Sequence, residues 1–116
     1  IYQPEIIIIP SGFDGGANDP LGRQMMTSEG FKSLTKKIKK SAQDICDGKI
    51  LMTHEGGYSA ATVPFFAHAV IETLAGENMN VKDPFQKIIG KMGQQELQPH
   101  QNDLIGEAES LLKNIK

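Results

Sequence analysis

Four consecutive isoleucines, Ile6 to Ile9, make the most apolar stretch of the chain, and Glu5 to Pro10 predicts a strand. The run does not alternate with polar residues. That predicts a strand covered on both faces, as in a parallel sheet with helices on either side. Ser11 to Gly22 carries Gly12, Gly15, Gly16, Pro20 and Gly22 and predicts a loop. Thr27 or Ser28 can cap the helix that follows. In it Phe31, Leu34, Ile38, Ala42 and Ile45 recur at helical spacing, lysines take the opposite face, and Asp47-Gly48 ends it. Lys49 to His54 is a second short apolar strand, closed by the glycine-rich turn Glu55 to Ser59. A helix from about Ala60 to Leu74 has Val63, Ala67, Val70 and Leu74 on one face, with Pro64 tolerable only in the first turn. Asp83-Pro84 opens a short helix with Phe85, Ile88, Ile89 and Met92. Residues 94–101 read as an irregular connector, and a last helix from Pro99 to Ile115 carries Leu104, Ala108, Leu111 and Ile115 as its stripe.

The order strand, helix, strand implies a crossover between parallel neighbours, hence an α/β fold. Two strands make a poor sheet, and a doubly covered one needs more. The isoleucine run therefore predicts further strands from sequence outside these residues. Length adds to this: 116 residues suffice for one small domain and not two. At 22% charged and 39% apolar the composition is that of a folded protein, and a net charge of −2 gives no bulk argument for nucleic acid. The basic run Lys32, Lys36, Lys37, Lys39 and Lys40 reads as a solvated helix face. Cys46 is the single cysteine and cannot form an intrachain disulfide, which fits a reducing, cytoplasmic setting. No apolar run approaches the ~20 residues of a membrane span, and no signal peptide is visible. No internal repeat is present.

Chemistry concentrates in the two glycine-rich turns. In open parallel sheets, ligands bind beyond the carboxyl ends of the strands, where both turns lie. Asp14 offers a hard oxygen donor to Zn²⁺ or another divalent ion; the other reading is an Asx-turn that caps its own loop. Asp19 is either a turn or helix-entry cap or a brace for the loop that bears Asp14. The phenol of Tyr58 could donate to a developing oxyanion, or its ring could plug the loop against the sheet. His54 reads as a rim histidine, His68 as a packing residue, and His100 has no partner at a suggestive spacing. The three form no HxxxH or HxH pair, so no complete metal site is encoded.

Together the turns are more specific than either alone. "SGFDGGANDPLGRQMMTSEGF" followed by "CDGKILMTHEGGYSAATVPFFAHAVIETLAG" resembles the C-terminal part of the histone deacetylase superfamily, in particular the bacterial class II-like deacetylases and amidohydrolases. "DPFQKIIGKMGQQELQPHQ" is similar to the tail of the same group. The resemblance implies that residues 1–116 are the C-terminal segment of one catalytic domain, part of a three-layer α/β/α arginase/deacetylase-type fold with a parallel sheet. It implies that Asp14 is a zinc ligand and that Tyr58 donates to the substrate carbonyl. Leu21 would line an acyl-lysine channel, with Gly56 and Gly57 as its wall and Asp19 bracing the loop. The implied reaction is amide hydrolysis of an acetylated amine, acetyl-lysine or acetylpolyamine, to free amine and acetate. There Zn²⁺ polarises the carbonyl and acidifies its water, a histidine takes the proton, and Tyr58 and the metal share the negative charge.

The family's other metal ligands and its tandem histidines belong to upstream Asp-x-Asp-x-His and His-His motifs, which these residues lack. Gly15-Gly16 also replaces the Ala-His or Ala-Ser of many relatives, which implies a more mobile loop. The expected partners are thus the acetylated amine and the N-terminal portion of the same domain, with a second copy of the chain as a further candidate. Neither a membrane nor nucleic acid is expected as a partner, and alone the chain should be inactive. The alternative is a truncated or degenerate copy that serves as a structural or binding module. Retention of Asp14, Tyr58, Gly56 and Gly57 together favours the enzyme.

Overall fold

The structure, a computed structural model, describes residues 2–22, 24–92 and 96–115. Strands β1 (Ile7–Ser11) and β2 (Ile50–His54) pair in parallel, with Ile7 opposite Ile50 and Ser11 opposite His54. Helix α1 (Ser28–Cys46) connects them. The Thr27 hydroxyl accepts from the Gly30 amide at 3.2 Å and so caps one of the free donors of the first turn. At the other end Asp47 takes a left-handed conformation and the Gly48 amide donates to the Ala42 carbonyl. Helix α2 (Val63–Ala75) starts later than its apolar pattern suggests, because Pro64 must sit in the first turn. Helices α3 (Gln86–Ile89) and α4 (Pro99–Leu111) follow, the last continued by a 3₁₀ turn over Leu112–Asn114. The connector read at 94–101 begins with Gln94 and Gln95, which lie outside the described residues. No helix among the described residues is long and apolar enough to cross a membrane.

The core is aromatic and lies under the loop after β1. Phe31 of α1 meets Phe66 of α2 at 5.0 Å between ring centroids, and Phe13 meets Phe31 edge-on at 5.3 Å. Val70 completes the cluster, and Met26, Met52, Val63, Ala67 and Leu74 pack around it. Two lysines of the run read as solvated lock the helices together instead. Lys32 pairs with Glu72 at 3.2 Å, and Lys39 donates to the carbonyls of Thr73 and Leu74 at the end of α2. The following segment is tied to both helices. The Met79 amide donates to Glu72, and the Ser28 hydroxyl donates to Asp83 at 2.8 Å.

Among the described residues the isoleucine strand is covered on one face: Ile7 and Ile9 share the side of Met52, whereas Ile8 is 58% exposed, and cover for that second face is expected from sequence outside these residues. Both long helices contribute to the one core on the Met52 side. Two expectations from the pattern change. In α1 the buried line is Ser28, Phe31, Thr35, Ala42 and Cys46, while Leu34 and Ile45 are exposed. Thr35 tolerates burial because its hydroxyl donates to the Phe31 carbonyl one turn back. In α4 no residue is buried, and Leu104 is 62% exposed.

Candidate active site

The site grows out of the strand pairing. Beyond β1 and β2 the ladder continues into both loops, where the Glu55 amide donates to the Ser11 carbonyl at 3.4 Å and the Phe13 amide to the Gly56 carbonyl at 2.6 Å. Phe13 is buried in the aromatic core, so its neighbour Asp14 is turned outward. The Asp14 carboxylate lies between two glycine backbones. A Cβ on Gly12 would stand 2.6 Å from its Oδ1, and one on Gly56 would stand 3.0 Å from its Cγ. No described residue donates a hydrogen bond to it; the side-chain bonds of the loop converge on Asp19.

Asp19 is the Asx-turn residue that Asp14 could have been. Its Oδ1 accepts from the amides of Leu21 at 2.8 Å and Gly22 at 3.0 Å. Its Oδ2 accepts from the amide of Tyr58 in the other loop, also at 2.8 Å. Burial pushes its pKa up, but the amides of Gly22, Tyr58 and Leu21 outweigh that and hold the carboxyl below its ordinary range. Gly57, just before the tyrosine, has φ of 135°, and a Cβ there would stand 2.9 Å from Phe13 Cβ. Only glycine combines that backbone with that closeness. Tyr58 is 59% exposed, so it does not plug the loop against the sheet. Leu21 is exposed as well.

The two turns therefore meet, bringing together Asp14, Asp19, Gly56, Gly57 and Tyr58. The histidines do not join them. His54 leans on Phe13 at 5.4 Å between rings, His68 lies on α2 near Glu72, and His100 is exposed on α4. Among the described residues no group of three His, Cys, Asp or Glu could hold a metal. An apolar groove of about 250 Å³ runs between β2 and α2, lined by residues such as Phe13, Met52, His54 and Val70, and contains neither Asp14 nor Tyr58.

The residues that hold the loops were less visible in the sequence. Phe66 backs the loop at Gly16, Thr62 donates to the Ala17 carbonyl, and the Met26 backbone bonds Gly15 and Ala17. Phe13 alone carried a signal, as an aromatic enclosed by glycine and aspartate in a loop.

Residues 1–74 match the histone deacetylase domain. The "Histone deacetylase-like amidohydrolase" of Pseudomonas aeruginosa is 41% identical over 88 residues, which is 76% of this chain and 23% of that protein. Histone deacetylase 15 of Arabidopsis thaliana is 39% identical over 77 residues, 66% of this chain and 13% of that protein. Among solved structures, the HDA15 HD domain aligns with a TM-score of 0.58 at 35% identity over 71% of this chain and 22% of that one. The histone deacetylase Clr3 aligns with a TM-score of 0.66 over 90% of this chain and 15% of that one; at 24% identity this speaks to fold alone. The chain belongs to the histone deacetylase family, and its fold is the α/β arginase/deacetylase fold. It spans less than a quarter of each of these relatives.

Proposed function

We propose that this chain contributes two working groups to a zinc-dependent deacetylase: Asp14 as a metal ligand and Tyr58 as the donor to the reacting carbonyl. The observation that carries the reading is the joining of the two turns. They leave adjacent parallel strands, share the Phe13–Gly56 and Asp19–Tyr58 hydrogen bonds, and bring one carboxylate and one phenol to the same end of the sheet. The Asp14 carboxylate suits a metal because it is cradled by backbone and engaged by no described donor. One carboxylate holds zinc poorly, so the other donors would come from the remainder of the domain, which is the chain's expected partner. A zinc ion held there would polarise the amide carbonyl and acidify a water.

Tyr58 would donate its phenol hydrogen to the amide oxygen as negative charge develops on it, a contribution realised mainly in the transition state. Gly56 and Gly57 would let the acyl chain pass close to the backbone, and Leu21 would present an apolar wall to it. The substrate class supported is an acetylated amine, either an acetyl-lysine or an acetylpolyamine, cleaved to amine and acetate. The single unpaired cysteine supports a cytoplasmic setting. The test is made on the full-length protein with zinc. Tyr58→Phe should lower kcat on the order of 10²-fold with the fold retained, and Asp14→Ala should lose zinc by metal analysis. Near-normal turnover of the first, or full zinc in the second, would remove that residue from the site.

A further inference from the structure

We propose that Asp19 is the positioning residue of Tyr58, the joint through which the Asp14 loop sets where the phenol stands. This rests on the role given to Tyr58 above. The geometry divides the carboxylate between two tasks. Oδ1 closes its own turn on the amides of Leu21 and Gly22. Oδ2 crosses to an amide 39 positions away in sequence, that of Tyr58. A turn alone needs only the first oxygen.

The tyrosine needs such a joint. The residue is mostly exposed, so little packing holds it, and the residue before it is a glycine in a backbone region that few residues adopt. The amide of Tyr58 is the point at which the residue is tied to the Asp14 loop. A carboxylate is the stronger acceptor for an amide, and its lowered pKa keeps it ionised through the neutral range. The Asp14 loop is itself held by the aromatic core through Phe13. The chain of support therefore runs from core to Asp14 loop to Asp19 to Tyr58, and it fixes the phenol relative to the metal-side carboxylate.

Asp19→Asn separates the two tasks. Asparagine still closes an Asx-turn through its carbonyl oxygen, but it sets an NH₂ against the Tyr58 amide in place of an acceptor. In full-length, zinc-loaded protein acting on an acetyl-lysine peptide, Asp19→Asn should lower kcat about tenfold, because slight misplacement of a reacting group is costly. KM and zinc content should stay near the parent values. In the Tyr58→Phe background the same change should add little, since the group it positions is already gone. Hydrogen exchange at the Tyr58 amide should be faster in Asp19→Asn, whatever the activity. An unchanged kcat, an equal loss in both backgrounds, loss of zinc, or unchanged exchange would each overturn the proposal. Should Tyr58→Phe itself keep full turnover, the catalytic reading of Tyr58 fails, and the exchange rate still decides whether Asp19 is the joint.

Discussion

The joined turns, residues 11–22 and 55–62, and helix α4 are opposites in packing. The turns contain no regular structure after Ser11, yet they are tied by backbone bonds, by Asp19 and by the aromatic core beneath them. Helix α4 is regular, with a Gln98–Gln101 capping box and an apolar stripe, yet it buries no side chain. Regularity and integration are thus different properties. A helix satisfies its own backbone locally. A glycine-rich loop cannot, so it holds one conformation only where its neighbours supply the partners. That requirement makes it able to aim a side chain.

The largest effect that tests this contrast is expected from Phe66→Ala. Removing a fully buried ring that backs the loop should cost about 3–5 kcal/mol in urea unfolding, a large share of the ~5–15 kcal/mol that stabilises a typical domain. A loss below ~1 kcal/mol would mean that the loop stands without its aromatic floor.

A smaller effect concerns Glu72, which links α1, α2 and the segment at Met79. The Met79 amide is the main cause that holds its carboxyl below the ordinary 4.5, with Lys32 assisting and burial opposing. The folded pKa lies below the unfolded one. Its contribution is therefore present above the unfolded value and is lost as pH falls through the folded value. Glu72→Gln should flatten the fall of stability with pH below about 4.5, measured by denaturant unfolding at several pH values. An unchanged slope would remove Glu72 from the acid response. The smallest effect belongs to α4. Leu104→Ser should change the stability of the 116-residue chain by no more than about 0.5 kcal/mol. A loss above ~1 kcal/mol would show that the stripe packs after all and would close the contrast.

Much of the fold was legible because its signals are local. The capping Thr27, the Asp47-Gly48 stop and the two short strands all follow from neighbouring residues. The face on which each element is buried was less legible. Leu34 and Ile45 lie on the apolar stripe of α1, yet Thr35 and Cys46 are buried instead, because the core is set by where Phe66 meets Phe31. Lys32 and Lys39 read as solvated because nothing near them in sequence announces Glu72 or the carbonyls of Thr73 and Leu74.

The candidate site divides in the same way. Sequence by itself determined the elements, the two glycine-rich turns after the strands and the presence of Asp14, Asp19 and Tyr58 in them. It left the two aspartates with overlapping readings, since both sit in a glycine-rich loop and either can close an Asx-turn. The resemblance assigned Asp14 to the metal and Asp19 to the loop, and tertiary structure shows which of the two closes an Asx-turn. The structure seats the Asp14 carboxylate between the backbones of Gly12 and Gly56 and sends Asp19 across to the Tyr58 amide. The physical reason is that an aspartate's partners are chosen by the distances between loops, and parallel pairing of β1 with β2 brings together turns some forty positions apart.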